Sequence, residues 1–225
     1  MTNPTTNWHI GTMGFAYKQW NGPFYPAGMP NRSYLPHYSS HFASVEIDST
    51  FYGPPRDTQL QRWRSVSPPH FRFCLKTPRQ ITQEKRLHHA EEEMAYFITQ
   101  AKQLGDKLGV ILIQLPPSFT AAQQPTLARF LQQLPTDVRF GVEFRDASWE
   151  REETAVLLRQ HNVCWVAADY IHLQKVVRPT ADFIYLRFIG PHGQFATKDK
   201  ELIDQTAVLQ QWQAQLQQHS FTDGF

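Results

Sequence analysis

The feature that most constrains the fold is a series of short apolar runs, separated in several places by segments with helical periodicity. Several runs are apolar almost throughout, which is typical of parallel strands buried on both faces. We therefore predict strands near Trp8–Thr12, Ser44–Asp48, Phe71–Lys76, Val110–Gln114, Arg139–Phe144, Val163–Ala168 and Phe183–Phe188.

Amphipathic segments between these runs predict helices. One apolar face follows the i, i+3, i+4, i+7 spacing of a helix, formed by Met94, Phe97, Ile98, Ala101 and Leu104. Gly105 is a plausible end of that helix, because glycine is common just past a helix C-terminus. Strands that alternate with helices indicate an α/β fold with a parallel sheet.

Two parallel architectures fit this alternation, a doubly wound sheet and a closed barrel. A doubly wound sheet usually opens with a glycine-rich turn, and the first turn here, GTMGFAY, is not GxGxxG. We therefore predict a single (β/α) barrel domain over residues 1–225. Two irregularities are expected. Too few residues separate Asp169 from Phe183 for a full crossover helix, and the chain ends at HSFTDGF, where an eighth strand would begin.

Composition excludes some classes of protein and leaves others open. The 225 residues are 41% apolar and 19% charged, with a net charge of +2, so overall charge gives no argument for a nucleic acid or a membrane. Cys74 and Cys164 lie in apolar runs and are expected to be buried thiols. Without a visible signal peptide, a long apolar span or a disulfide framework, the protein is expected to be cytoplasmic.

Charged and polar side chains stand at the carboxyl ends of the predicted strands, which is the edge where barrel enzymes build their sites. Glu46 and Asp48 point to the same side of the second strand, and Glu143 and Arg145 share one face at the fifth. The other strand ends carry Lys76, Gln114, Asp169 and Arg187, with Tyr52 and Arg79 in adjacent loops.

Two interpretations of these residues stay open. They form either a structural layer of ion pairs or a polar pocket for an anionic ligand. In the second case Arg145 and Arg187 would bind a phosphate or carboxylate bidentately, with Lys76 as a point charge. The acid/base candidates are Glu46, Glu143 and Asp169. Lys76 is a further catalytic candidate, for instance through a Schiff base. Tyr52 belongs to a group of aromatic residues that could stack on a base or sugar ring or cover the core.

No metal site is predicted from the histidines, because the ten of them form no HExxH or HxH pattern. A divalent ion held by strand-end carboxylates and His192 stays open as an alternative.

Six motifs, in this order and spacing, resemble the YecE-like family of uncharacterised proteins, also described as domain of unknown function seventy-two. They are GTMGFAYKQWNGPFYP, FASVEIDSTFY, FRFCLKTPRQIT, LGVILIQLPPSF, GVEFRDASW and YLRFIGPHG. The resemblance covers the chain from Trp8 to the last helix.

The resemblance implies a TIM-like barrel with an incomplete helical ring. It also implies a pocket formed by Glu46, Lys76, Arg79, Gln114, Glu143, Arg145, Asp169 and Arg187. Members of the family usually continue into another strand, so we expect the eighth strand to be missing from this chain, which ends at Phe225.

The resemblance implies no established reaction, so the function is predicted from the site. The first hypothesis is a protein that binds or acts on a small phosphate- or carboxylate-bearing molecule. The alternative is a nucleic-acid-binding or DNA-repair-related protein that uses the same edge, and a third possibility is a non-catalytic scaffold or small-molecule binder. Cofactor and oligomeric state are not predicted.

Overall fold

Parallel strands and helices alternate along the chain, as the apolar runs predict. The computed structural model describes residues 6–170, 172–190 and 200–225. Its strands are β1 (Asn7–Trp8), β2 (Gly11–Met13), β3 (Ser44–Ile47), β4 (Arg72–Lys76), β5 (Leu108–Gln114), β6 (Phe140–Glu143), β7 (Cys164–Trp165), β8 (Ala167–Asp169), β9 (Leu186–Phe188) and β10 (Asp223–Gly224). Its α-helices are α1 (Tyr34–Ser39), α2 (Asp57–Val66), α3 (Glu91–Lys102), α4 (Gln124–Leu131), α5 (Glu152–Gln160) and α6 (Thr206–Leu216).

The strands form one large and two small parallel ladders. The large sheet has six strands in the order β2-β3-β4-β5-β6-β7, while β8 pairs with β9 and β1 pairs with β10. The mixed α/β class with a parallel sheet is therefore confirmed. The closed barrel is not, because the six-stranded sheet does not close on itself.

The expectation that the chain lacks a strand after β9 is wrong. Asp223 and Gly224 pair in parallel with Asn7 and Trp8, and form β10. A strand of two residues has no alternation that a sequence pattern can detect. Phe221 precedes the strand and Phe225 follows it, and the burial of these two side chains fixes its position.

The six-stranded sheet is buried on both faces. Phe73 and Leu75 of β4 face the larger hydrophobic core, which also contains residues of α1 to α5. Cys74 between them faces a second core that contains Val110, Trp212 and Phe225. Because successive side chains of a strand alternate between faces, a strand buried on both sides is apolar at most of its positions.

The helices follow the predicted apolar faces, with small differences at their ends. Pro36 lies in the first turn of α1, where its missing N–H costs nothing. Asp57 is the first residue of α2, and its N-cap is Arg56. The described residues between β8 and β9 form no helix, as the short interval predicts. No helix in the described ranges is long and apolar enough to span a membrane.

A polar cluster ties the end of the chain to its beginning. Asp223 accepts hydrogen bonds from Asn7 (3.1 Å) and Arg139 (2.5 Å), and lies 3.1 Å from the His9 ring nitrogen. His9 is buried and stacks on the Phe225 ring with centroids 4.8 Å apart. Burial lowers the pKa of His9, so its ring is neutral at pH 7. The cluster holds β10 against β1.

We expect Asp223→Asn to lower the free energy of unfolding by about 1–3 kcal/mol, because a charged acceptor with three partners is lost. Urea denaturation at pH 7 measures this. The matched control is Asp137→Asn, which removes an exposed ion pair with Lys102 (2.8 Å). The control should change stability by less than about 1 kcal/mol. Equal effects of the two substitutions would contradict a stabilising role for the cluster.

Candidate functional site

Arg187 of β9 lies at the centre of a buried ion cluster. Its side chain is only 4% exposed. Nε and Nη2 donate to the Glu46 carboxylate at 2.8 and 2.6 Å, and Nη1 donates to Glu143. The guanidinium therefore binds one carboxylate with two nitrogens and a second carboxylate with the third. This arrangement compensates a charge that would otherwise be costly to bury.

Glu46 comes from β3, a strand whose four residues are all buried. Besides Arg187, the hydroxyl of Tyr185 donates to its carboxylate. Burial by itself raises the pKa of Glu46, but attraction to Arg187 and the hydrogen bonds outweigh burial, and the pKa lies below its usual value. Burial and the negative charge of Glu46 raise the pKa of Tyr185 well above 10, so the phenol stays protonated. Glu46 is thus held ionised.

Glu143 is fully buried at the end of β6, between two arginines. One carboxylate oxygen pairs with Arg187 and the other with Nε of Arg145. The Arg145 guanidinium also lies over the ring of Tyr170, 4.3 Å from its centroid. A cation over an aromatic face is stabilised by the ring quadrupole. Both cations that the sequence assigned to anion binding therefore already have carboxylate partners.

Lys76 and Asp48 lie beside this cluster and are less completely paired. Lys76 Nζ is 3.7 Å from Asp48 Oδ1, and its side chain is 14% exposed. The ammonium lies over the Phe51 ring at 4.7 Å and makes no hydrogen bond within the described ranges. The Asp48 Oδ1 atom is buried and likewise has no hydrogen-bond donor there.

The pKa of Asp48 is raised, first by burial and then by repulsion from ionised Glu46. Neighbouring acids whose pKa values are pushed apart in this way are typical of acid/base sites.

The strand register explains why these side chains meet. Glu46 pairs with Cys74, Lys76 with Leu112, and Gln114 with Glu143. All of them lie on the sheet face of the second hydrophobic core. Gly141 leaves room on this face, because a Cβ there would lie 2.8 Å from a Val166 methyl group and 3.5 Å from the Tyr185 ring.

Of the other predicted site residues, Gln114 lies beside Glu143 in the strand register, whereas Asp169 makes a separate ion pair. Asp169 pairs with Lys175 at 2.5 Å. The main-chain carbonyl of Gln114 accepts a hydrogen bond from the Gln83 side chain, at 3.1 Å.

Arg79 pairs with Glu84 at 3.0 Å, with both side chains about half exposed, and Tyr52 is 80% exposed. Arg79 and Tyr52 line a neighbouring cleft of about 780 Å³.

Within the described ranges, no group of three His, Cys, Asp or Glu residues is placed to hold a metal ion. His192 lies outside those ranges. The thiols of Cys74 and Cys164 are buried, and burial raises the pKa of each to about 12, so they remain protonated.

Two residues of the site were not assigned a role from the sequence. The spacing in VEIDSTFY places Asp48 on the same side of the strand as Glu46, but it was not included among the acid/base candidates. Tyr185 precedes Arg187 by two residues and lies on the same strand face. An apolar strand gives no sign that one of its aromatic residues donates to a carboxylate on another strand.

We expect Arg187→Met to lower the free energy of unfolding at pH 8 by about 3–5 kcal/mol, because it leaves two buried carboxylates without their cation. In that variant burial would raise the pKa of Glu46, so the folded state would take up a proton as the pH falls. The stability deficit relative to the unsubstituted protein should therefore be smaller at pH 5 than at pH 8.

Urea denaturation at the two pH values measures this difference. The control, Arg79→Met, removes a half-exposed ion pair and should cost less than about 1 kcal/mol at both pH values. A small, pH-independent effect of Arg187→Met would show that the cluster does not need its central cation.

The chain is similar to two curated bacterial proteins. It is 35% identical over 124 residues to the UPF0759 protein YecE of Escherichia coli strain K12, covering 53% of this chain and 46% of that protein. It is 30% identical over 132 residues to the UPF0759 protein YunF of Bacillus subtilis, covering 56% of this chain and 47% of that protein. The chain thus spans about half the length of the curated relatives it matches.

Solved structures extend the similarity over nearly the whole chain. A DUF72 family protein from Thermotoga maritima superposes with a TM-score of 0.80 at 27% identity, covering 97% of this chain and 90% of that one. A DUF72 family protein from Enterococcus faecalis shares the fold, with a TM-score of 0.74 at 20% identity and coverage of 98% and 89%. A family model described as "Protein of unknown function DUF72" matches residues 9–224. This confirms the resemblance in the motifs, and the chain belongs to the DUF72 family.

Proposed function

We propose that the protein binds a small phosphate- or carboxylate-bearing molecule beside Lys76, and that Asp48 exchanges a proton with that molecule. One observation carries the proposal. Lys76 Nζ and Asp48 Oδ1 lie 3.7 Å apart, and neither atom makes a hydrogen bond within the described ranges. The Lys76 side chain is 14% exposed and that of Asp48 is 42% exposed, although its Oδ1 atom is buried. Polar groups in such positions normally have partners, and an anionic ligand would supply acceptors for the ammonium.

The distribution of charge supports Lys76 as the anion-binding group. Arg187 and Arg145 are mostly buried and share the carboxylates of Glu46 and Glu143. An anion would have to displace those carboxylates to reach either guanidinium. Within the described ranges Lys76 contacts Asp48 at 3.7 Å and lies over the Phe51 ring at 4.7 Å, and neither contact uses an N–H donor in a hydrogen bond.

The contrast between the two carboxyl groups supports Asp48 as the proton carrier. Burial, followed by the charge of Glu46, raises its pKa. A raised pKa is what a general acid or base needs near neutral pH. Glu46 has the complementary role, since Arg187 and Tyr185 keep it ionised next to Asp48. Glu143 and Arg187 would hold this pair in place rather than contact the ligand.

We infer in addition that the three ladders belong to one irregular barrel wall, with the site at its carboxyl edge. Main-chain hydrogen bonds between the ladders support this. Ile184 and Leu186 donate to Asp223 and Phe225 at 3.0 and 2.8 Å, which joins the β8-β9 ladder to the β1-β10 ladder. Val166, just before β8, donates to Val142 of β6 at 3.0 Å. In barrels of parallel strands, this edge carries the functional site.

The alternative of nucleic-acid binding has less support from the same residues. Phosphate backbones are bound by cations that face solvent. Arg145 and Arg187 are mostly buried, and the exposed Arg79 already pairs with Glu84. No observation favours nucleic acid over a small anion at this edge.

The test is calorimetric titration with inorganic phosphate and with a panel of phosphorylated and carboxylated metabolites. At least one anion should bind, and Lys76→Gln should weaken it by about tenfold or more, because a charge-assisted hydrogen bond is lost. Affinity should fall as the pH rises through the raised pKa of Asp48, since ionised Asp48 repels the anion. Asp48→Asn should bind the anion without that pH dependence.

Lys102→Gln is the matched control, because it removes an exposed lysine that pairs with Asp137 and lies away from the site. It should leave anion affinity unchanged. Circular dichroism verifies that each variant is folded. The proposal fails if no anion in the panel binds, or if folded Lys76→Gln binds as tightly as the unsubstituted protein.

A further inference from the structure

A second cleft, separate from the ion cluster, lies between the turn that follows β3 and the start of α3. Its volume is about 780 Å³, within the range of small-ligand sites. The residues that matter here are Phe51, Tyr52, Arg79, Glu84, Glu92 and Tyr96. Glu46, Asp48 and Lys76 do not line it, although Phe51, which does, lies under the Lys76 ammonium.

Two tyrosines present unusually exposed rings in this cleft. Tyr52 is 80% exposed and Tyr96 is 58% exposed. Phe51 meets Tyr52 edge to face, with ring centroids 5.5 Å apart, and Lys76 lies over the Phe51 ring. Clustered aromatic surface that faces a cavity is a common mark of a binding site.

The charges around the rings are mainly negative. Three carboxylates and one guanidinium line the cleft. Glu84 pairs with Arg79, and Glu93 pairs with Lys85. Glu92 has no ion-pair or hydrogen-bond partner in the described ranges. It precedes Tyr96 by four residues on α3, so the free carboxylate and the ring share one face of the helix.

A further wall of the cleft is well anchored. It is a π-helical turn at Gln80–Glu84, in which Ile81 and Thr82 are buried. The Gln83 side chain ties this turn to the end of β5 through the Gln114 carbonyl, at 3.1 Å. The cleft thus lies between an anchored turn and a helix, and a ligand would not have to order either wall.

We propose that this cleft binds a small organic cation with a guanidinium group, placed against the rings of Tyr52 and Tyr96 and paired with Glu92. A guanidinium is planar, so it stacks on tyrosine rings while its edge donates two hydrogen bonds to a carboxylate. The carboxylates disfavour a phosphate in the same place. The cleft and the Lys76 site therefore select ligands of opposite charge.

Argininamide and citrullinamide form a matched pair of probes, because they have nearly the same shape but only the first carries a guanidinium. By calorimetry at low salt, argininamide should bind about tenfold or more tightly than citrullinamide. Glu92→Gln should weaken argininamide by about tenfold, and Tyr96→Leu by about threefold or more.

Glu91→Gln is the matched control, since it removes the same charge from the same helical turn but does not line the cleft. It should bind argininamide like the unsubstituted protein. Asp48→Asn should do the same, which would show that argininamide binding does not depend on the anion site beside Lys76. Equal binding of the two probes, no binding of either, or equal effects of the Glu91 and Glu92 substitutions would overturn the proposal. Binding of adenosine monophosphate that depends on Tyr96 but not on Glu92 would also overturn it.

Discussion

Arg187, held between Glu46 and Glu143, is the interaction on which the arrangement of the site depends. The three residues come from β9, β3 and β6, and β9 is not hydrogen-bonded to the other two strands. Burying three charges is costly, and the cost is offset only when every charged group has its partners. The register of β9 relative to the six-stranded sheet is therefore tied to the position of one guanidinium.

This pairing determines which neighbouring groups remain available for chemistry. Because Arg187 and Arg145 neutralise the two glutamates, the less completely paired charges are those of Lys76 and Asp48. The pKa of Asp48 is raised mainly by burial, and the negative charge of Glu46 raises it further through repulsion. A structural ion cluster and an acid/base site are thus compatible here. The cluster supplies the electrostatic environment of Asp48, the residue that we propose as the proton carrier.

Several features of the fold and site could be predicted from local pattern. Apolar runs such as LGVILIQ indicate a strand buried on both faces, and Leu108–Gln114 forms one. The placement of Glu46, Lys76 and Glu143 near strand ends also follows from the sequence, since a charge at the end of an apolar run is visible there. The β10 strand lies in HSFTDGF, where an eighth strand was expected to begin, but its formation and its pairing with β1 could not be predicted. Two residues carry no periodicity, and the pairing partner lies more than 200 residues earlier.

The sequence by itself determined the alternation of strands and helices, the apolar strands and the edge at which polar groups gather. These features follow from the spacing of apolar residues within each segment, and that spacing can be seen without knowing which other segments pack against it. Only the tertiary structure decided which charge pairs with which. Tyr185 and Arg187 donate to Glu46, about 140 residues earlier, and Lys76 lies 3.7 Å from the Asp48 carboxylate. Ion pairing and pKa depend on distances of a few ångströms between residues far apart in sequence, and the packing of the strands sets those distances.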